Sequence, residues 1–273
     1  MHTSLPDDAP FLATDQAKPQ TIEAQEKSLV IVPTYNEKEN VRELISAVLN
    51  QPAGFHLLII DDGSPDGTAA IVKQLQAQFS GRLHLVERAG KLGLGTAYIR
   101  GFEYALAHGY DYIFEMDADF SHDPADLPRL LHACQSEGYD LAIGSRYVTG
   151  VNVVNWPMSR VLLSYFGSKY VQAITGMRIN DSTAGFKCYR RIVLQTIDLQ
   201  KIKFVGYAFQ IEMKFTAWMH GFKIVEVPII FTDRTKGQSK MGGGIVKEAI
   251  GGVLQLKIQS LFRSYRRPSA LKT

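Results

Sequence analysis

Short apolar runs alternate with stretches of helical period along most of the chain, and each run ends in a polar turn. "SLVIVPTYNE" is apolar and β-branched up to Pro33. "KENVRELISAVLNQ" then spaces Val41, Leu44, Ile45 and Val48 along one helical face. "HLLIIDDGSPDGT" repeats the theme, a buried strand and a turn of Asp, Gly, Ser and Pro, and "GTAAIVKQLQAQF" reads as the next helix. "LHLVER" predicts a third strand, "GTAYIRGFEYALAHG" a third helix, "DYIFEMDAD" a fourth strand, and "DLAIGSRY" a fifth after "ADLPRLLHACQSEG". Past residue 150 the pattern changes. "SRVLLSYFGSKYVQAITG" and "GYAFQIEMKFTAWMHG" both read as amphipathic helices, the second followed by the strand "FKIVEVPIIF".

Strands alternating with helices predict right-handed βαβ crossovers and an α/β fold, a mostly parallel mixed sheet flanked by helices. In such sheets ligands bind beyond the C-terminal strand ends. Three of those ends carry polar groups: Tyr35, Asn36 and Glu37; Asp61, Asp62, Ser64 and Asp66; Asp117 and Asp119. Their convergence on one rim says more than any one of them. No linker rich in Gly, Ser or Pro cuts the chain. The expected organisation is a mobile tail over 1–26, one domain over 27–245, and a basic amphipathic helix with its tail over 246–273.

Composition narrows the class. The 273 residues are 45% hydrophobic and 21% charged, ordinary for a globular protein with a large core. A net charge of +3 gives no ground for a nucleic-acid partner. Cys134 and Cys188 have neither disulfide-framework nor metal spacing, which suits a reducing compartment. Asp7 and Asp8 stand where a secretory leader would be basic, and no stretch reaches the roughly 18 apolar residues of a membrane span. The expected location is cytoplasmic.

"IFEMDADFSHDP" ends a buried run in a pair of carboxylates, Asp117 and Asp119. Alone, Asp-x-Asp is more often a solvated acidic loop. Beside two further acidic strand ends it reads as a site for Mg²⁺ or Mn²⁺ carrying a diphosphate, because hard oxygen ligands suit these ions. Asp61 and Asp62 exceed what a turn needs: Ser64 or Asp66 can cap the next helix while one acid accepts hydrogen bonds from a ribose or base. "GKLGLGTA" reads equally as a loop that approaches phosphate and as a plain connection. The Walker pattern and a first-turn GxGxxG are both absent, which argues against a P-loop NTPase and an NAD-dependent oxidoreductase. Arg146, Arg160, Arg234, Lys236 and Lys240 stand at a strand end, a helix start and a Gly-rich loop, where each can pair with phosphate, although solvated charge is the commoner role for any one of them. His122 reads as an exposed turn residue and stays outside the catalytic set. Trp156, Trp218, Cys134 and Cys188 read as packing residues. The segment "GGGIVKEAIGGVLQLKIQSLFRSYRRP", with Lys247, Lys257, Arg263, Arg266 and Arg267, reads equally as a membrane-surface helix and as a terminal helix packed on the domain.

The motifs "VPTYNEKENV", "IIDDGSPDGT", "GLGTAYIRGF", "MDADFSHDP", "IGSRYVTG", "NWPMSR", "DSTAGFKCYRR", "VEVPIIFTDR" and "GQSKM" occur in this order over roughly residues 28 to 260. Together they resemble family-2 glycosyltransferases of the GT-A type, a Rossmann-like nucleotide-sugar fold, and within them the dolichyl-phosphate (polyprenyl-phosphate) mannose synthases. The resemblance implies inverting, metal-dependent transfer of mannose from GDP-mannose to a polyprenyl (dolichyl-type) monophosphate. It implies donor contacts at Pro33, Tyr35, Glu37, Asp62, Asp117, Ala118 and Arg146. Asp117 and Asp119 would act with Mg²⁺ or Mn²⁺, and Arg160, Arg234 and Lys240 would hold the acceptor phosphate, with Asp119 and Arg160 carrying catalysis. Ser121 stands where some relatives carry Gln. Many members have C-terminal membrane-spanning helices; without one, the resemblance implies peripheral association with the cytoplasmic membrane face or a membrane-anchoring partner subunit. A UDP-sugar donor with a lipid-phosphate or glycan acceptor stays open, as does a non-catalytic nucleotide-binding membrane adaptor.

Overall fold

The computed structural model describes residues 26–206, 208–234 and 245–265, with backbone alone over 245–249. The tail expected over 1–26 lies almost wholly outside them, as do Lys236, Lys240, Arg266, Arg267 and the Lys247 side chain.

The apolar runs form strands β1 (Ser28–Thr34), β2 (His56–Asp61), β3 (Leu83–Glu87), β4 (Tyr112–Glu115) and β5 (Leu141–Ser145). The helical stretches between them form α1 (Val41–Leu49), α2 (Thr68–Gln76), α3 (Leu94–Ala107) and α4 (Leu127–Gln135). After a short strand β6 (Val153–Val154) come α5 (Met158–Thr175), β7 (Lys187–Arg190), α6 (Arg191–Thr196), α7 (Ala208–Met219), β8 (Ile224–Pro228), β9 (Phe231–Thr232) and α8 (Ile245–Ser260).

Seven strands form one sheet in the order β3-β2-β1-β4-β7-β5-β8, and β6 pairs with β9 in a small second sheet. All neighbours in the large sheet are parallel except β7, which runs antiparallel to both β4 and β5. The α/β fold with a mostly parallel mixed sheet is therefore the observed one. Alternation along β1 explains why both faces are covered. Leu29 and Ile31 face the α3 and α7 side with Tyr98, Phe102 and Phe209. Val30 and Val32 face the α1 and α4 side with Leu44, Ile45 and Leu130. A Cβ on Gly101 would come within 2.6 Å of Ile31, so glycine there lets α3 lie close on β1.

α7 differs from its reading as amphipathic. Every residue from Ala208 to Ala217 is buried, including Gln210, Glu212 and Lys214. The polar ones are tolerated because each has an inward partner. Glu212 accepts from the Lys203 and Phe204 amides, Lys214 donates to the Ala184 carbonyl, and Gln210 donates to Glu115.

α8 packs on the body through buried Val253 and Leu256. No helix among the described residues is long and apolar enough to cross a membrane.

Candidate active site

Parallel register brings the strand ends to one rim. Thr34 pairs with Asp61, and Ile31 with Glu115, so the chain leaving β4 runs past the end of β1. Asp61 is consumed by scaffolding. It accepts from the Thr34 hydroxyl and from the amide and hydroxyl of Ser64. Asp66 accepts from the Thr68 hydroxyl and amide and from the Lys38 amide, joining the β1 and β2 turns. Asp62 is clamped by Arg88 in two hydrogen bonds of 2.6 and 2.7 Å. Burial still leaves its pKa raised, against the opposing pull of Arg88. Glu37 is buried and accepts from Asn40. The Tyr35 ring has Lys91 Nζ 5.6 Å from its centroid. Pro33, Tyr35, Glu37 and Asp62 thus stand together at the β1 and β2 ends, beside a pocket but not in its walls.

That pocket opens beyond β4 and is walled by Asp117, Asp119, His122, Arg146, Trp156, Arg160, Gln210 and Arg234. The turn that carries the acids is tight: Phe120 takes a left-handed φ of 60°, and the Ser121 amide donates to Asp119 Oδ1 at 3.1 Å. Ala118, between the acids, is packed into the core, which leaves only its backbone for a ligand. Asp119 Oδ2 lies 2.7 Å from Arg234 Nη2. Asp117 has no Arg or Lys partner among the described residues, and its side chain keeps 39% exposure. Burial of the site, then repulsion from Asp119 and Glu115, raises its pKa to about 7. The point thus favours a positive partner, whether a proton or a cation.

The cations are held by other groups. Arg146 is buried and donates twice to Asp181, at 2.7 and 2.6 Å, and once to Thr183. Burial pushes Asp181 up, but Arg146 outweighs it and the net shift is downward. The Arg160 guanidinium lies 4.0 Å from the Trp156 ring centroid and 2.9 Å from Asp233. Lys240 lies outside the described residues.

Two sequence readings are corrected here. His122 is buried, stacked on Phe186 at 5.0 Å, and accepts the Asp117 amide at Nδ1. Burial lowers its pKa to about 4, so the ring is neutral with its proton on Nε2. Trp156 is a wall of the pocket, not an inner packing residue, and its indole N–H is buried without a hydrogen-bond partner among the described residues. Gln210 and Asp181 were also missed; their roles depend on partners far away in sequence. The loop "GKLGLGTA" is explained by packing: Gly95 donates to the Val205 carbonyl, and a Cβ there would meet Phe204 and Phe209 below 3.0 Å.

The sequence matches the model of Glycosyl transferase family 2 over residues 29–198. The chain belongs to this family. Polyprenol monophosphomannose synthase of Mycolicibacterium smegmatis is 46% identical to this family-2 glycosyltransferase over 241 residues, which is 88% of this chain and 91% of the relative. Undecaprenyl-phosphate mannosyltransferase of Micrococcus luteus is 43% identical over 238 residues, 87% and 97% of the two chains. The resemblance to polyprenyl-phosphate mannose synthases is thereby borne out. Among solved structures, glucosyl-3-phosphoglycerate synthase from Mycobacterium tuberculosis, in complex with Mn²⁺, UDP and glucosyl-3-phosphoglycerate, is similar with a TM-score of 0.63 at 18% identity, covering 85% of this chain and 80% of that one. At that identity the likeness speaks for the GT-A fold.

Proposed function

We propose that the protein transfers mannose from GDP-mannose to a polyprenyl monophosphate, with inversion and with Mg²⁺ or Mn²⁺. The observation that carries this reading is the meeting of Asp117 and Asp119 with Arg160 and Arg234 in one pocket, in a chain so close to two polyprenyl-phosphate mannose enzymes. Acids suit a cation that bears a diphosphate, and arginines suit an anionic acceptor.

No group of three or more His, Cys, Asp or Glu side chains able to hold a metal forms among the described residues. Two carboxylates one residue apart, Asp117 without an Arg or Lys partner among the described residues and Asp119 paired only with Arg234 on a neighbouring segment, are what a hard cation needs when substrate phosphates complete its shell, so the residues fit Mg²⁺ or Mn²⁺. Asp117 and Asp119 would hold it, and when bound it would neutralise charge on the departing diphosphate. Pro33, Tyr35, Glu37, Asp62, the Ala118 backbone and Arg146 would border the donor. Arg160, with Arg234 and Lys240, would orient the acceptor phosphate. One of its oxygens attacks the anomeric carbon as the bond to GDP breaks. That oxygen is already anionic at neutral pH, so no protein base is required, and rate comes from orientation and electrostatics.

The lipid acceptor also gives a role to exposed apolar residues. On α5, Met158, Leu162, Leu163 and Phe166 are exposed, and so are Ile250, Leu254 and Ile258 on the adjoining α8 and Leu261 and Phe262 in the turn just after it. Phe262 keeps 85% exposure. The α5 residues fall on one helical face, as do Ile250, Leu254 and Ile258 of α8, and Arg160 of α5 lines the pocket. This surface would rest on the bilayer that holds the acceptor. A membrane-anchoring partner subunit on the same surface is the competing occupant. Flotation with vesicles containing anionic lipid separates the two: binding without a second protein supports the bilayer.

The reaction is tested with purified protein, either cation and a short-chain polyprenyl phosphate. GDP-mannose, UDP-glucose and other nucleotide sugars are offered in parallel. Mannolipid formed from GDP-mannose alone supports the reading. Product from a UDP-sugar replaces the donor, and nucleotide binding without transfer supports an adaptor.

A further inference from the structure

Gly185 lies in the loop that feeds β7 and lines the pocket. Its φ is outside the left-handed region, so its backbone does not call for glycine. A Cβ built there would lie 3.5 Å from His122 Cε1, 3.6 Å from Gln210 Nε2 and 3.9 Å from Asp117 Oδ2. These are ordinary van der Waals separations, so packing does not call for glycine either. Alanine would fit, and would fill a methyl-sized gap between three polar side chains.

Those side chains have unused hydrogen-bonding capacity. The Asp117 carboxylate accepts no hydrogen bond among the described residues, and its nearest ion-pair partner, His122 Nδ1, is 3.8 Å away. Gln210 is fixed at both ends. Its Nε2 donates to Glu115 at 2.8 Å, and its Oε1 accepts from Lys187. The second Nε2 hydrogen has no partner among the described residues. His122 uses Nδ1 as an acceptor for the Asp117 amide, which leaves the Nε2 proton. An acceptor, Asp117 Oδ2, and a donor, Gln210 Nε2, therefore border the gap, with the His122 ring edge at Cε1 beside them. A hydroxyl offers the complement, one donor and two acceptor lone pairs.

We propose that Gly185 is a specificity-determining position: its missing side chain keeps open a seat for one hydroxyl of the donor's sugar, bound by Asp117 and Gln210 beside the His122 ring. The proposal rests on the nucleotide-sugar reading of the site and adds which residues read the sugar. Glu115 and Lys187 act as positioning residues, because they hold the Gln210 carboxamide in place.

The test is Gly185→Ala, with GDP and GDP-mannose titrated calorimetrically in Mn²⁺ and turnover measured with short-chain polyprenyl phosphate. GDP affinity is expected to stay within about twofold of wild type, while kcat/KM for GDP-mannose falls at least about tenfold. Equal losses for GDP and GDP-mannose, or no loss for either, would overturn the proposal. A second measurement needs no variant. In a panel of GDP-mannose analogues lacking single hydroxyls, one analogue is expected to lose about a hundredfold or more with wild type. With Gly185→Ala that analogue and GDP-mannose should differ far less. A panel in which no single hydroxyl matters, or in which both proteins show the same profile, would also overturn it. If wild type neither binds nor transfers GDP-mannose, the donor reading itself fails and this proposal falls with it. If wild type transfers mannose and Gly185→Ala matches it, only the Gly185 assignment fails.

Discussion

Arg234 and Asp119 are joined by an ion pair of 2.7 Å across the pocket, between the segment after β9 and the turn after β4. A group expected to hold an acceptor phosphate is thus neutralising a group expected to hold a cation. On the proposed reading, Asp119 would exchange partners when cation and donor arrive. Asp119→Asn is expected to lower cation-dependent turnover at least about a hundredfold, on the scale of losing a main electrostatic contact. Its melting temperature should change little. Wild-type turnover in this variant would remove the role assigned to Asp119.

Asp117 predicts a pH dependence for cation binding. Its folded pKa of about 7 lies above its ordinary 3.8. Between those values the folded protein holds a proton that the unfolded chain releases, so this group favours folding towards low pH. A cation competes with that proton. The melting-temperature increase produced by Mn²⁺ is therefore expected to grow as pH rises from about 5.5 to 7.5. Asp117→Asn should flatten the trend, and a wild-type shift that is flat across this range would contradict the assignment.

His122 acts with the opposite sign. Its folded pKa of about 4 lies below its ordinary 6.5. The unfolded chain takes up a proton first, so the stability it contributes is present above pH 6.5 and is lost as pH falls towards 4. Urea midpoints of His122→Gln, followed over that window without cations, are expected to fall less steeply than those of wild type.

Arg160 joins α5 to the pocket and is stacked on Trp156. Arg160→Ala is expected to raise the KM for polyprenyl phosphate about tenfold, the scale of one charge-assisted hydrogen bond, with GDP affinity within about twofold. Equal loss in both measurements would assign the residue to the donor or to the fold.

Beneath the pocket, Lys187 Nζ lies 3.0 Å from Glu115 Oε1, and both side chains are fully buried. Glu115 also accepts from Tyr189 and Gln210. Lys187→Met leaves that carboxylate without its counter-charge and is expected to cost about 3–5 kcal/mol by chemical denaturation. A loss below about 1 kcal/mol would mean that Glu115 takes up a proton or solvent instead.

Strands β1 to β5 and the acids at their ends were legible because each strand is an apolar run and parallel pairing leaves its turn at one rim. β7 was not. "KCYR" looks solvated, and it is Glu115 and Gln210, both far off in sequence, that make a buried Lys187 tolerable. α7 was misread for the same reason: Gln210, Glu212 and Lys214 mark a polar face only until their inward partners are known. His122 and Trp156 were set aside as single residues. Their surroundings, Phe186 under one and Arg160 on the other, come from distant parts of the chain.

The reversed direction of β7 has a consequence for how this architecture can diversify. A parallel strand in that place would receive its leading loop at the opposite edge of the sheet, far from the substrate. Because β7 runs the other way, residues 181–186 arrive where the other strands end. At Gly185, where a Cβ meets only ordinary contacts, a side chain could be added without shifting a strand register, so the pocket could change while the sheet stays as it is.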